Sequence, residues 1–221
     1  MNTVTKVALG LMGKLRPKPA VGNAASSIVL PPPETHGGMP LLDALSMRAS
    51  QREFASTALS LPALSSLLWA AYGINRSSHD GRTAPSALNA QEIDIFAALP
   101  AGAYRYDAAA HSLHLAAATD VRRVTGYQDF VDTAPLDLVY VADYTRMHMV
   151  PVAQRETFAA VAAGAISQNV YLFCASAGLS TVLRAWIDRA AIADALGLTH
   201  DQHVLLSQTV GYPGAARTPA P

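Results

Sequence analysis

A proline-free, alanine-rich segment between residues 152 and 177 constrains the fold of this chain more than any other feature. Its composition predicts one continuous helix of roughly 25 residues, about 38 Å long at the helical rise per residue. The second half, 166–177, is apolar on nearly every side. A helix of that kind must be buried on most sides. Its small residues would permit close approach of a second helix, so part of the apolar surface is expected to pack against another subunit.

The composition is that of a folded chain with few charges. Of the 221 residues, 51% are apolar and 14% are charged, and 16 basic residues balance 16 acidic ones. The apolar content excludes a disordered chain, and the neutral balance argues against nucleic acid as the main partner. No uninterrupted apolar stretch of 18 residues is present, so we predict no membrane span. The single cysteine, Cys174, excludes an intrachain disulfide.

The first 35 residues are predicted to form an extended arm or leader outside the main core. Basic residues flank a short apolar run at 7–12, and prolines recur between residues 17 and 40, which favours extended backbone. The apolar run is shorter than that of a secretory signal. We therefore expect a cytoplasmic protein, with export as the lesser alternative. The domain proper is expected at 36–217, followed by a short tail at 218–221.

Apolar periodicity and turn residues predict the secondary structure. Helical leucine spacing follows Pro40 and Ser60, and the β-branched and aromatic run at 136–142 predicts a central strand. The other expected elements are a loop over 75–85, a helical turn over 86–91, a hairpin from 93–99 and 103–106, a short strand over 113–116, a short helix over 120–126 that Thr119 caps, a strand starting at 181–183, a helix from Asp188 to Leu196 and a strand over 204–210. Their order predicts an α+β fold with a helix-covered sheet.

Motifs of several common enzyme classes are absent. The chain has no G-x-G-x-x-G, no P-loop and no G-x-S-x-G, which argues against Rossmann, P-loop and ordinary α/β-hydrolase chemistry. Two histidine pairs, His111 with His114 and His200 with His203, lack the third ligand and the support that a metal site needs. We therefore predict no metal, and Cys174 within the apolar helix is interpreted as core packing.

Three polar clusters stand out against the apolar background. The first, 48–52, has two guanidinium groups that flank a hydroxyl, which suits a dianionic phosphate. The second, 85–91, offers amide donors and acceptors in a compact turn, which suits the edge of a heterocycle. The third is the tail 211–217, which ends in Arg217. Singly, each is most often a charged helix end, an ordinary turn or a solvated cation, and it is their joint occurrence that favours a binding function.

The chain resembles the nitroreductase family of FMN flavoproteins, specifically the branch related to SagB-type dehydrogenases. The resemblance spans about residues 30–215 in the same order, and it is carried by residues 48–54, 59–76, 82–92, 102–106, 164–172, 178–182 and 210–213. It implies an α+β sandwich with a central mixed or antiparallel sheet flanked by helices. In this family two subunits interlock through long helices and share two FMN sites, so a homodimer is expected.

The resemblance also implies which residues bind the phosphate end of the cofactor. Arg48, Ser50 and Arg52, with Ala49 between them, would hold the ribityl phosphate and the pyrimidine side of FMN. Arg217 would reach the phosphate from the tail.

Two further segments are assigned to the flavin ring by the same resemblance. Asn89 would hydrogen-bond the ring, with Pro85, Ser86 and Gln91 nearby. The turn Leu183-Arg184-Ala185-Trp186 occupies the position at which the family directs a backbone N–H at flavin N5, the donor being near Ala185 or Trp186. Other members often place Glu-Gly or Gly-Ala there, so the bulky Trp186 affects access to the flavin face.

The implied activity is an FMN-dependent transfer of hydride or electrons between NAD(P)H and a small acceptor such as a nitroaromatic or a quinone. One alternative is a SagB-like dehydrogenase or oxidase of azoline-modified peptides, although the chain has no lysine after Lys18 to match those oxidases. A second is a flavin-binding protein without NAD(P)H turnover, and a third is an interaction protein without a cofactor. The choice between NADH and NADPH and the direction of the reaction stay open.

Overall fold

The computed structural model describes residues 1–214. These residues form five α-helices: α1 (Thr3–Leu11), α2 (Leu41–Met47), α3 (Leu61–Tyr72), α4 (Val152–Ala177) and α5 (Arg189–Leu196). They also form eleven strands: β1 (Lys18–Pro19), β2 (Ser27–Val29), β3 (Ile74–Arg76), β4 (Gly81–Arg82), β5 (Ile93–Leu99), β6 (Gly102–Asp107), β7 (Ser112–Ala117), β8 (Thr119–Asp120), β9 (Leu136–Asp143), β10 (Ser180–Arg184) and β11 (Gln202–Gly211). The predicted α+β class is confirmed.

Seven of these strands make one antiparallel sheet in the order β10-β11-β9-β5-β6-β7-β2. The predicted central strand is β9, and its residues alternate between two apolar clusters. Leu138 and Tyr140 pack with α3 and α4 on one face of the sheet. Val139 and Val141 pack with α5 on the other. Because both faces of β9 are covered, its sequence is apolar almost throughout.

Helix α4 has the predicted length, and its two halves differ in how far a single chain encloses them. It ends at Gly178, whose φ of 66° suits glycine. One face, which includes Ala163, Ile166 and Val170, is buried. The opposite face is open in the first half, where Val161 is 67% exposed. In the second half, 166–177, Gln168 and Ala177 are exposed and the other residues are buried or half-buried, so a single chain already buries this half on most sides, as its sequence predicts.

Helix α4 also bears on the prediction of no membrane span. Among residues 1–214, it is the one helix long and apolar enough to cross a membrane by length and composition alone. The core helix of a globular domain meets the same criterion, and the buried face of α4 lies in such a core.

The N-terminal residues pack on the domain instead of extending away from it. Lys6, Leu15 and Leu30 are buried, and β2 joins the sheet beside β7. The expectation of an arm outside the core is therefore wrong. The proline-rich backbone is extended, as predicted, but its strand β2 pairs with the edge of the sheet. Lys6 and Leu15 are buried against the rest of the domain. The boundaries 36–217 and 218–221 stay predictions, as does a cytoplasmic location.

Local signals set most element ends. The Ser60 side chain accepts a hydrogen bond from the Ala63 N–H at 3.3 Å and caps α3, and Asp188 caps α5. Two local expectations were wrong. The loop 75–85 contains the β3–β4 hairpin, and Asp120 rather than Thr119 caps the short helix Val121–Thr125, because its carboxylate reaches the Arg122 N–H.

Candidate functional site

Tyr171 brings the first polar cluster to the end of β10. Its ring is buried in α4, and its hydroxyl is hydrogen-bonded to Ser50 Oγ at 2.8 Å. The same hydroxyl accepts the Leu183 N–H at 2.9 Å, and the Arg48 guanidinium lies 5.3 Å from the ring centre. Sequence reasoning missed Tyr171. The available signal was a phenol in the apolar half of α4, where a buried hydroxyl needs partners.

Main-chain hydrogen bonds bring the end of the described chain to the same place. The Gln51 N–H donates to the Thr181 carbonyl at 2.9 Å, and the Ala55 N–H donates to the Tyr212 carbonyl at 2.9 Å. The Gly214 N–H donates to the Glu53 carbonyl at 3.1 Å. The first cluster and the start of the third are therefore neighbours. Arg217 lies outside the described residues, so its assignment stays a prediction.

Two open cavities lie along this junction. One of about 140 Å³ is lined by Ala49 and Tyr171 among others, and one of about 370 Å³ is lined by Arg52, Ser180 and Gly214 among others. Within residues 1–214, neither Arg48 nor Arg52 has a carboxylate oxygen within 4 Å. Arg52 lines the second cavity, and two cations without a carboxylate partner in the described part of the chain fit an anionic ligand such as a phosphate.

The second cluster is a strained turn that presents Asn89. Leu88, Asn89 and Gln91 have φ values of 53°, 52° and 49°, a left-handed conformation that costs each residue roughly 1–3 kcal/mol. The Gln91 N–H donates to Ser86 Oγ at 3.0 Å. The Gln91 side-chain amide accepts from Arg82 Nε at 2.9 Å and donates to Asn89 Oδ1 at 3.2 Å. Asn89 is exposed and Pro85 opens the turn. Arg82, which holds Gln91, was missed by sequence reasoning.

A buried acid lies directly behind this turn. Glu92 is 0% exposed, and neither of its carboxylate oxygens bonds another residue in the described part of the chain. Burial raises the pKa of the Glu92 carboxyl. Burial, and then the nearby Glu92, raise the pKa of Tyr72 to about 12. Tyr72 is therefore neutral at physiological pH, and Glu92 keeps its proton to a higher pH than an exposed carboxyl does.

The second cluster lies apart from the first within one chain. Across residues 1–214, no hydrogen bond or ion pair joins 85–91 to 48–52 or to 183–186. Asn89 opens instead on a separate cavity of about 470 Å³, lined also by Arg146 and Val150. A single chain thus assembles only part of the predicted site.

The turn after β10 exposes its main chain. The Arg184 side chain points into the core, where Nη2 is 2.5 Å from Asp137 Oδ1, so its guanidinium is not available to a ligand. Trp186 is 60% exposed and its ring centre is 5.2 Å from that of Tyr127. The N–H groups of Ala185 and Trp186 have no hydrogen-bond partner among residues 1–214. The same residues contain no group of three or more His, Cys, Asp or Glu that could hold a metal ion.

Comparison with known proteins identifies the family of this chain. The nitroreductase family matches residues 45–212. A Methanocaldococcus jannaschii protein assigned to the nitroreductases is 32% identical over 152 residues, which cover 64% of this chain and 76% of the relative. The chain belongs to the nitroreductase family, and its class is that of an FMN-dependent oxidoreductase.

Solved structures show the same fold. A crystal structure from Ralstonia eutropha JMP134, assigned to the nitroreductases, is 52% identical with a TM-score of 0.87, and the match covers 91% of this chain and 96% of that one. A Desulfovibrio desulfuricans homologue in complex with FMN is 23% identical, with a TM-score of 0.58 and coverage of 83% and 94%. A chain of the E. coli microcin synthetase McbBCD complex is 16% identical, with a TM-score of 0.67 and coverage of 96% and 93%.

Proposed function

We propose that this protein binds FMN at a site shared by two subunits and transfers hydride or electrons from NAD(P)H to a small acceptor such as a nitroaromatic or a quinone. One observation carries the proposal. The Tyr171 hydroxyl joins Ser50 to Leu183, beside two arginines that have no carboxylate partner in residues 1–214. The bound flavin would supply the redox chemistry, while the protein supplies binding, orientation and electrostatics.

The phosphate end of FMN is assigned to Arg48 and Arg52. Their guanidinium groups present planar forks of N–H donors, which match phosphate oxygens in charge and in geometry. Ser50 is already engaged by Tyr171 at 2.8 Å, so its first role is to hold the segment 48–52 against α4. The described chain ends beside this segment, at Gly214, which supports the predicted approach of Arg217.

The flavin N5 position is assigned to the turn after β10. The N–H groups of Ala185 and Trp186 lack partners in residues 1–214 and are available to a ligand. The Leu183 N–H is not available, because the Tyr171 hydroxyl accepts it. A donor near N5 would stabilise the negative charge of the reduced flavin.

The separation of the two clusters supports a homodimer. Asn89 would reach the flavin bound to the first cluster of the other subunit. The open face of α4, together with α2, offers an apolar surface for that contact, since Leu41 is 63% and Leu42 is 77% exposed. Analytical ultracentrifugation tests this, because a stable 23.2 kDa monomer with bound FMN would contradict the shared site.

Removing the two arginines tests the phosphate assignment. A charge-assisted hydrogen bond contributes roughly 1.5–3 kcal/mol, so Arg48→Ala with Arg52→Ala should weaken FMN binding by about 10²–10⁴-fold. Quenching of FMN fluorescence gives the dissociation constant. The matched control is Lys14→Ala with Arg16→Ala, which removes two exposed cations elsewhere and should leave it unchanged. Wild-type protein that is colourless and refuses added FMN would reject the whole proposal.

The electron donor is tested by anaerobic titration with each nicotinamide. We expect NADH or NADPH to bleach the flavin absorbance. A flavin that neither nicotinamide reduces, in a protein also inert toward azoline peptides, would favour flavin binding without turnover.

A SagB-type oxidation of azoline-modified peptides is the second candidate. The sequence resemblance to that branch supports it, and the fold shared with the microcin synthetase chain agrees with it. In that reaction the peptide reduces the flavin and oxygen reoxidises it. Oxygen consumption with a thiazoline peptide and without nicotinamide would favour this candidate over the first.

A further inference from the structure

A buried cluster of four charges lies behind the turn that is proposed to face the flavin. It consists of Lys6, Asp132, Asp137 and Arg184, which are 0%, 6%, 0% and 5% exposed. Lys6 Nζ is 2.8 Å from Asp132 Oδ1, and Arg184 Nη2 is 2.5 Å from Asp137 Oδ1. Both pairs contact the segment 126–128, because Lys6 Nζ donates to the Gln128 carbonyl at 3.0 Å and the Arg184 guanidinium lies against Gly126. We name these four residues the charge cluster.

Stability alone does not explain the charge cluster. Burial is the main influence on the pKa values of Lys6 and Arg184 and lowers both, which reflects the cost of removing each cation from water. Apolar residues of similar volume often stabilise a core as well as buried ion pairs do. What such pairs provide is a fixed side-chain orientation, because a guanidinium and a carboxylate restrict each other's geometry.

Arg184 connects this fixed orientation to the turn after β10. It is the last residue of β10, at the edge of the sheet, and Ala185 follows it. Its partner Asp137 lies on β9, and Thr209 of the intervening β11 donates to the same carboxylate oxygen. Arg184 therefore ties the edge strand to the middle of the sheet. An added Cβ at Gly126 would lie 2.0 Å from Arg184 Nη1, so the guanidinium rests directly on backbone.

Helix α1 reaches the same turn by two routes. Lys6 enters the charge cluster and also donates to the Gln128 carbonyl at 3.0 Å. Gly10 lies against Tyr127, since an added Cβ there would be 2.7 Å from the ring. The Tyr127 ring in turn contacts Trp186. The segment around residues 126–128 thus links α1 to both sides of the turn.

We propose that Lys6 and Arg184 are positioning residues of the redox site, and that the charge cluster fixes the direction of the Ala185 and Trp186 N–H groups. The proposal rests on the proposed function, because it assumes that this turn faces the flavin. Neither side chain touches the cofactor. Both act through the backbone of β10, and α1 is thereby part of the site's support.

Two variants, one conservative substitution and one control test the proposal. Gly126→Ala displaces the Arg184 guanidinium without removing a charge, and Lys6→Met removes one cation of the charge cluster. Lys6→Arg keeps that charge and should retain most of the wild-type behaviour. Arg123→Gln is the control, since Arg123 is 31% exposed, 3.7 Å from Asp132 and not attached to the turn.

The first readout is amide hydrogen exchange of the peptide 180–187 in flavin-free protein. We expect protection to fall about tenfold in Gly126→Ala and in Lys6→Met, and to stay unchanged in the control. The second is the midpoint potential of bound FMN, which should become more negative in the same two variants, because a misdirected donor stabilises the reduced flavin less.

The outcomes separate this proposal from the proposed function. Unchanged exchange in both variants overturns the positioning role, whether or not FMN binds. Altered exchange with an unchanged potential overturns it as well, since the cluster would then be merely structural. If Gly126→Ala does not fold, Lys6→Met and Lys6→Arg decide. Wild-type protein that never binds FMN rejects the proposed function, and with it any role of the turn in redox chemistry.

Discussion

The Tyr171 hydroxyl provides the most quantitative test of the site geometry. Tyr171→Phe removes hydrogen bonds of 2.8 Å to Ser50 and 2.9 Å to the Leu183 N–H. Ser50 is exposed and turns to water, so its loss costs about 0.5–1 kcal/mol. The N–H on β10 is left without a partner, which costs about 1–3 kcal/mol. We expect a total loss of about 2 kcal/mol in the free energy of unfolding.

Urea unfolding of flavin-free protein measures this loss. At an m-value of about 2 kcal/mol/M, Tyr171→Phe should lower the urea midpoint by about 1 M with the slope unchanged. Tyr144→Phe is the control, because that hydroxyl makes no hydrogen bond within residues 1–214. It should change stability by less than about 0.5 kcal/mol.

A double-mutant cycle decides whether Ser50 and Tyr171 truly act together. Ser50→Ala alone should cost about 0.5–1 kcal/mol. In the background of Tyr171→Phe it should cost almost nothing, because its partner hydroxyl is already gone. Costs that add to within about 0.3 kcal/mol would refute the hydrogen bond and, with it, the link between the first cluster and β10.

Three further predictions concern stability. The folded state holds the Glu92 proton more tightly than the unfolded state does. Wild-type stability should therefore fall, relative to that of Glu92→Gln, as pH rises above the ordinary carboxyl pKa of 4.5. If the urea midpoints of the two proteins change equally between pH 4 and pH 8, this prediction is contradicted. Gly178→Ala, at φ 66°, should cost about 1 kcal/mol in thermal unfolding. Leu67→Ala, at a fully buried position, should cost about 3–5 kcal/mol by calorimetry, and a loss below 1 kcal/mol would contradict the packing.

The parts of the fold that the sequence predicted depend on local signals. The bounds of α4 follow from its composition and from Gly178, and the ends of α3 follow from Ser60 and Gly73. The central position of β9 follows from an apolar run that only a strand covered on both faces can hold. These signals lie within a few residues of the feature that they determine. They can therefore be recognised without knowing which distant residues the segment contacts.

The parts that the sequence missed depend on contacts between distant residues. Lys6 pairs with Asp132, 126 positions along the chain, and no local pattern identifies which carboxylate a lysine meets. The packing of the N-terminal residues was missed for this reason. Tyr171 was missed because its partners, Ser50 and Leu183, come from two separate segments. Residue chemistry singled out 48–52 and 85–91, and the resemblance supplied their expected roles, but neither showed that one chain keeps the two clusters apart.

The distance between those two clusters has a genetic consequence. In the proposed dimer, each site takes 48–52 from one subunit and Asn89 from the other. A mixed dimer of an Arg48→Ala/Arg52→Ala subunit with an Asn89→Ala subunit therefore has one site with both lesions and one intact site. Random reassociation of the two variants would restore about a quarter of all sites. Two defective alleles of this protein would thus complement each other in one cell, although neither encodes a complete site.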